Sequence, residues 1–342
     1  MSSSPASQRP VTDPREQYDT LLVIDAAQEE VWGRQVFEQW HTGGLACVVA
    51  SFLAWENARQ ALDLLAEWPR LFRTCADLVT PAVSASDIRA AKNAGKVAVL
   101  FEFQNTSPLE ENLDFVGLFN ELGIKIMQLT YNNQNAAGSG CYETSDGGLT
   151  RWGRELVREM NTVGVLVDLS HVGERTSLEA IDFSRRPVSM THANPSSFTG
   201  KTALWQRTKS DATLKALAAR GGVVGLAAYP NMLKGGRDAT LEEFSEMVAY
   251  TADLVGIDHV GIGSDLHWSV SVEHLQWVRS GRWTRDVPHI EPNSWDLDWL
   301  KSSEDFPHLF DALRARGCSV EEIGAVMGGN WLRLYEESFD PE

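Results

Sequence analysis

Glu102 within VLFEF, His171 closing VDLSH and His192 within SMTHAN put two imidazoles and a carboxylate in apolar surroundings. Two imidazoles and a carboxylate form a catalytic zinc set with one coordination position left open for water. A metal held in this way draws the pKa of its water towards neutrality and polarises a carbonyl. Asp265, closing VGIGSD, is an acid that can take the water's proton and pass it to a leaving group. A lone histidine is more often a hydrogen-bonded structural residue than a ligand, so the coincidence of the set carries the weight. Glu102 is the strongest single member, because an unpaired acid on a buried strand is costly and wants a cation.

Such residues need a scaffold that brings distant positions together. Apolar, β-branched runs recur at Leu21–Asp25, Gly44–Phe52, Val97–Phe103 and Ile124–Thr130. They continue at Gly164–Ser170, Pro187–Thr191, Gly222–Ala228 and His259–Asp265. Continuous apolar runs suit parallel strands buried on both faces. Helical patterns fill the gaps. Glu174–Ser184 spaces Leu178 and Ile181 three apart, Asp211–Arg220 starts on an Asp N-cap and stops at Gly221–Gly222, and Thr240–Val255 opens on a TLEE capping box.

Eight strand–helix units predict a (β/α)8 TIM barrel over residues 21–342, a single domain behind a flexible polar segment 1–20. A doubly wound open sheet is the next choice. Catalytic groups of a TIM barrel sit at the C-terminal strand ends. There the sequence offers Asp25 and Glu29, Glu102, Tyr131 with Asn132, His171, His192 and Asp265. Asp25 and Asp168 read as orienters of a metal-bound histidine or as local caps. After the eighth run come Trp268, Trp277, Trp283, Trp295 and Trp299, among charges and Pro288 and Pro292, which reads as a long loop or lid.

The net charge of −17 argues against nucleic acid or an anionic membrane as partner, since phosphates would be repelled. Cys47, Cys75, Cys141 and Cys318 lie far apart, without a CxxC pair, so neither a zinc ribbon nor a disulfide framework is expected. Residues 1–20 contain Pro5, Pro10 and Pro14 and no apolar signal core, and no stretch approaches the ~18–20 apolar residues of a membrane span. The expectation is a cytoplasmic protein acting on a small molecule.

Five segments together resemble the renal (membrane) dipeptidase family. They are GGLTRWGRELVREMNTVGVLVDLSH, PVSMTHANPSS, QRTKSDATLKALAARGGVVGL, HVGIGSDLHW and MGGNWLRLYEE, and the similarity runs from about residue 21 to 336. By resemblance the family's bridging glutamate falls on Glu102 and its metal-binding histidines on His171 and His192. The arginine that holds the substrate carboxylate falls on Arg207, and the catalytic aspartate on Asp265. The family's first-strand D-G-H-x-D is DAAQE here, so Ala27 replaces a metal-binding histidine and Glu29 stands at the aspartate position. Its LTHN histidine is Tyr131 in LTYNNQN, where a phenol can still donate to an oxyanion.

The resemblance therefore implies a dipeptidase-like hydrolase with one zinc ion on Glu102, His171 and His192. Glu29 is a further ligand, a free acid–base group or a solvent-facing residue. Cys141 and Glu143 in GSGCYE, and His267 beyond Asp265, are open additions to the site. Relatives of this kind are commonly homodimers. A single-metal decarboxylase or lyase, or an inactive small-molecule binder, is the alternative on the same barrel.

Overall fold

The computed structural model describes residues 13–51, 53–280 and 297–340. Its strands are β1 (Val23–Gln28), β2 (Leu45–Ser51), β3 (Val79–Pro81), β4 (Val97–Phe103) and β5 (Ile124–Gln128). β6 (Leu166–Asp168), β7 (Ser189–Met190), β8 (Val223–Leu226) and β9 (Val260–Ile262) complete the sheet. Pairing is parallel throughout, in the order β1-β2-β4-β5-β6-β7-β8-β9. The ring closes where Gln28 bridges Leu266, with the Asp265 N–H donating to the Ala27 carbonyl and the Glu29 N–H to that of Leu266. The fold is a TIM barrel, and its eight staves are the eight apolar runs. The additional strand β3 runs beside the start of β4, Val79 opposite Val97, and β5 takes over that edge from Phe101.

Each stave is buried along its whole length, as its continuous apolar pattern requires. Parallel strands need crossovers, and amphipathic helices supply them. In the helix Arg151–Val163, Thr150 caps the Gly153 N–H while Leu156, Val157 and Met160 face the barrel. The helix Asp211–Ala219 is capped by Ser210 rather than by Asp211, because the Ser210 hydroxyl accepts the Thr213 N–H. Ahead of Leu241–Val255 the capping box forms by half. Thr240 accepts the Glu243 N–H, but the Glu243 carboxylate turns away to the Gly235 N–H at 2.8 Å.

The far end of the barrel is closed by the C-terminal helix Asn330–Ser338. Trp331 is fully buried there, and its indole N–H donates to the Ile262 carbonyl at 3.0 Å. At the N-terminus, Pro14–Thr20 is a helix with Tyr18 buried, so this part of the segment expected to be flexible is anchored. After β9 the structure has a helix, Val272–Ser280, where a loop was expected. Its Leu275 and Val278 pack with Trp55 and Tyr131 over the barrel mouth. Trp283, Pro288, Pro292 and Trp295 lie outside the described residues. All four cysteines are free, and among the described residues no helix is long and apolar enough to cross a membrane.

Candidate active site

β6 ends three positions before His171 and β7 two before His192, and the two imidazoles meet across the barrel mouth. Their Nε2 atoms stand 2.9 Å apart. Each ring is aimed from its other nitrogen. His171 Nδ1 lies 2.7 Å from Asn132 Oδ1, which only accepts, so the proton sits on Nδ1 and Nε2 presents a lone pair. His192 Nδ1 lies 2.9 Å from Thr191 Oγ1, whose hydroxyl donates to Glu102 Oε1 at 3.1 Å. His192 therefore donates from Nδ1, and its Nε2 also presents a lone pair. Burial, reinforced by Arg207, holds the His171 pKa well below the usual range, and burial brings that of His192 to about 3. Two neutral imidazoles with lone pairs converging on one point are the donor arrangement that a metal cation completes, each oriented by a hydrogen bond from behind.

Glu102 is placed differently from its expected role. Its two oxygens accept from the hydroxyls of Ser51 (2.7 Å) and Thr191, the latter also beside His192 Nδ1. Burial and then the charge of Asp168 push its pKa well above the carboxylate range, which is the response of an acid kept from its cation. Among the described residues no three His, Cys, Asp or Glu side chains surround a common point as a metal site. The histidine pair fits a metal, while Glu102 is engaged elsewhere in this conformation.

The second metal position does not fit. Ala27 has no donor, and Glu29 is taken by two imidazoles: His274 Nε2 closes on Oε1, and His267 Nε2 lies 3.5 Å from Oε2. His267 also faces Asp265 Oδ1 at 3.9 Å, and its Nδ1–H donates to the Asp265 carbonyl at 2.6 Å. Burial works against charge on His267, but Asp265 and Glu29 outweigh it and lift its pKa to about 9. Burial likewise opposes the Glu29 carboxylate, yet the two histidines bring it down to about 2. An imidazolium thus lies between two carboxylates beside the position that the resemblance assigns to a second ion.

A cavity with about 30 Å3 of space for water joins these groups, lined by Glu29, Tyr131, His171, Arg207, Asp265 and His267. Tyr131 stacks on His171, ring centroids 4.1 Å apart, and its edge meets Trp55. Burial raises its pKa well above the usual value, so it stays a phenol able to donate. Arg207 is fixed by donating to the carbonyls of Ser170 and His192. Asn132 and Asp265 both adopt left-handed backbone, φ 58° and 59°, a conformation that costs non-glycine residues energy and gathers at functional sites.

The remaining expected residues are peripheral. Asp25 accepts the Ser264 N–H at 2.7 Å and the Gln28 amide at 2.6 Å, fastening β1 to the chain after β9. Asp168 accepts the Thr191 N–H at 2.6 Å and the Ser170 N–H at 3.0 Å, fixing the backbone just before each histidine. The Cys141 thiol donates to Asn132 Oδ1 at 3.4 Å, supporting the residue that aims His171. Glu143 is exposed and accepts the Gln134 N–H within its loop. Sequence reasoning missed His274, Tyr229 and Arg279. Only the histidine carried a visible signal, a metal-ligand residue type on the segment after the last strand.

The profile of the membrane dipeptidase family (peptidase family M19) matches residues 25–277. Among solved structures, an amidohydrolase from Pseudomonas aeruginosa shares 36% identity at a TM-score of 0.90, covering 95% of this chain and 99% of its own. A metallo peptidase from Rhodobacter sphaeroides, liganded with a phosphinate mimic of the dipeptide L-Ala-D-Ala, has a TM-score of 0.77. At 20% identity over 93% of this chain and 99% of that one, it shows likeness of fold. Dipeptidase tcpJ of Claviceps purpurea (strain 20.1) is 27% identical over 284 residues, 82% of this chain and 60% of that protein. This chain thus spans about 60% of the length of that curated relative.

Proposed function

The chain belongs to the membrane dipeptidase family, and from that premise we propose that it hydrolyses an amide or peptide-like bond in a small carboxylate-bearing substrate, using one metal ion. The observation that supports this most is the facing pair of neutral imidazoles, His171 and His192, each oriented through its Nδ1. These two would hold the metal, zinc by donor type, and Glu102 would join them as the carboxylate only by leaving the Ser51 and Thr191 hydroxyls. When bound, the ion supplies Lewis-acid chemistry, acidifying a water and polarising the scissile carbonyl.

The chain's own residues do the rest. Arg207, already anchored on two carbonyls, presents its remaining N–H groups to the substrate carboxylate. Tyr131, a phenol beside His171, donates to the carbonyl oxygen as negative charge develops there. Asp265 takes the proton that the attacking water loses as its oxygen bonds to the carbonyl carbon. It returns that proton to the leaving nitrogen as the C–N bond breaks. His267 holds positive charge 3.9 Å from Asp265 Oδ1, and its Nδ1–H holds the Asp265 carbonyl, which positions the residue. A decarboxylase or lyase reading finds no feature here that favours it.

Metal analysis of the purified full chain supplied with zinc is the direct test. About one ion per chain is expected, with loss of that ion in His171→Ala. Two ions per chain, or unchanged content in His171→Ala, would refute the ligand set. A dipeptide and N-acyl amino acid screen then reads the activity.

A further inference from the structure

We propose that Arg279 and Tyr229 form a receptor for a second anionic group of the substrate, so that the pocket selects small amides carrying two carboxylates. The inference rests on this pocket being the substrate site. Arg279 lies on the helix Val272–Ser280, and Tyr229 follows β8; both line the cavity that holds His171 and Asp265. Arg279 Nη2 and Tyr229 Oη are each buried without a hydrogen-bond partner among the described residues. They belong to one local arrangement, with the guanidinium carbon 5.0 Å from the Tyr229 ring centroid.

Buried polar groups without partners are rare in folded proteins, and leaving one unpaired carries its full desolvation cost, larger when it is charged. Two of them in one pocket mark a place where a hydrogen-bond acceptor belongs. None of the described residues provides it. The acids lining the cavity, Glu29 and Asp265, face His267 instead, and no carboxylate among the described residues lies within ion-pair reach of Arg279.

A guanidinium N–H and a phenol O–H offered to one cavity from two elements match the two oxygens of a carboxylate. Arg207 does not compete for that group. It sits in the turn Trp205–Arg207 and is tied to the carbonyls of Ser170 and His192. The two guanidiniums reach the cavity from different elements, the turn Trp205–Arg207 and the helix Val272–Ser280, and under this proposal each takes its own charge. The occupant is a substrate with one carboxylate for Arg207 and another for Arg279, as in an N-acylated acidic amino acid or a dipeptide with an acidic side chain.

Calorimetric titration of the full, zinc-supplied chain with glutarate and with valerate separates the two charges without requiring turnover. Glutarate should bind the unaltered protein at least ~10-fold more tightly, a difference of about 1.4 kcal/mol. In Arg279→Gln the preference should fall to within about 2-fold, with the melting temperature as the check on folding. Tyr229→Phe should narrow it by about 3-fold, and this second variant decides the matter if Arg279→Gln fails to fold. Equal affinity for the two acids, no measurable binding of either, or a preference that survives both substitutions overturns the proposal. Glutarate selectivity without hydrolysis of any amide would sink the hydrolase reading and leave this receptor standing.

Discussion

His267 is the residue at which burial and neighbouring charge are most directly opposed. Its pKa rises from 6.5 to about 9, so the stability it contributes is complete below 6.5 and is lost as pH climbs through 9. For Glu29 the pKa falls from 4.5 to about 2, so its contribution is complete above 4.5 and is lost as pH drops through 2. The ion-pair cluster is therefore at full strength between pH 4.5 and 6.5. Melting temperature measured against pH should decline from 6.5 towards 9 in the unaltered protein, and His267→Gln should flatten that limb. An unchanged alkaline limb in the variant would show that His267 is not the group responsible. At this scale the strand-end rule located His171, His192 and Asp265 because each follows an apolar run directly. It could not foresee that Glu102 would be claimed by Ser51, fifty-one positions earlier in the chain. Nor could it find Tyr229 and Arg279, since their significance lies in the partners they lack, which only a folded arrangement reveals.

Among the elements, the staves were legible because burial on both faces leaves an uninterrupted apolar run, whereas β3 is fully buried only at Val79 and ends on an exposed Pro81, so it leaves no such run. The helix Val272–Ser280 was hidden by tryptophans that suggested a loop. Its signals were present all the same: Leu275 and Val278 at helical spacing, and Ser271, whose hydroxyl accepts the His274 N–H at 3.1 Å. β9 carries a further constraint at Gly261. A Cβ there would stand 2.3 Å from Trp331 Nε1, the group that donates to the adjacent Ile262 carbonyl. Glycine at this position is what allows the indole to plug the base of the barrel. Gly261→Ala should destabilise the protein by about 1–3 kcal/mol, the range for overpacking a filled core. Urea denaturation would show this as a lower midpoint at unchanged slope. A midpoint equal to that of the unaltered protein would mean that Trp331 has room to move aside.

On the scale of the whole molecule, the barrel is sealed at one end by Trp331 and narrowed at the other by the helix Val272–Ser280. Ring closure joins β1 to the segment after β9 through Asp25, Ser264, Gln28 and Leu266, so the first and last staves share responsibility for the mouth. Across that closure Glu29, just after β1, meets His267 and His274, both of which follow β9. The cavity at that mouth has about 30 Å3 of space for water, room for roughly two molecules. The Val272–Ser280 helix covers that mouth, so under the proposed hydrolysis its outward movement would admit substrate and release product, sharing control of the rate with bond cleavage. Turnover should then slow as sucrose thickens the medium, and a rate indifferent to viscosity would place the slow step in the chemistry.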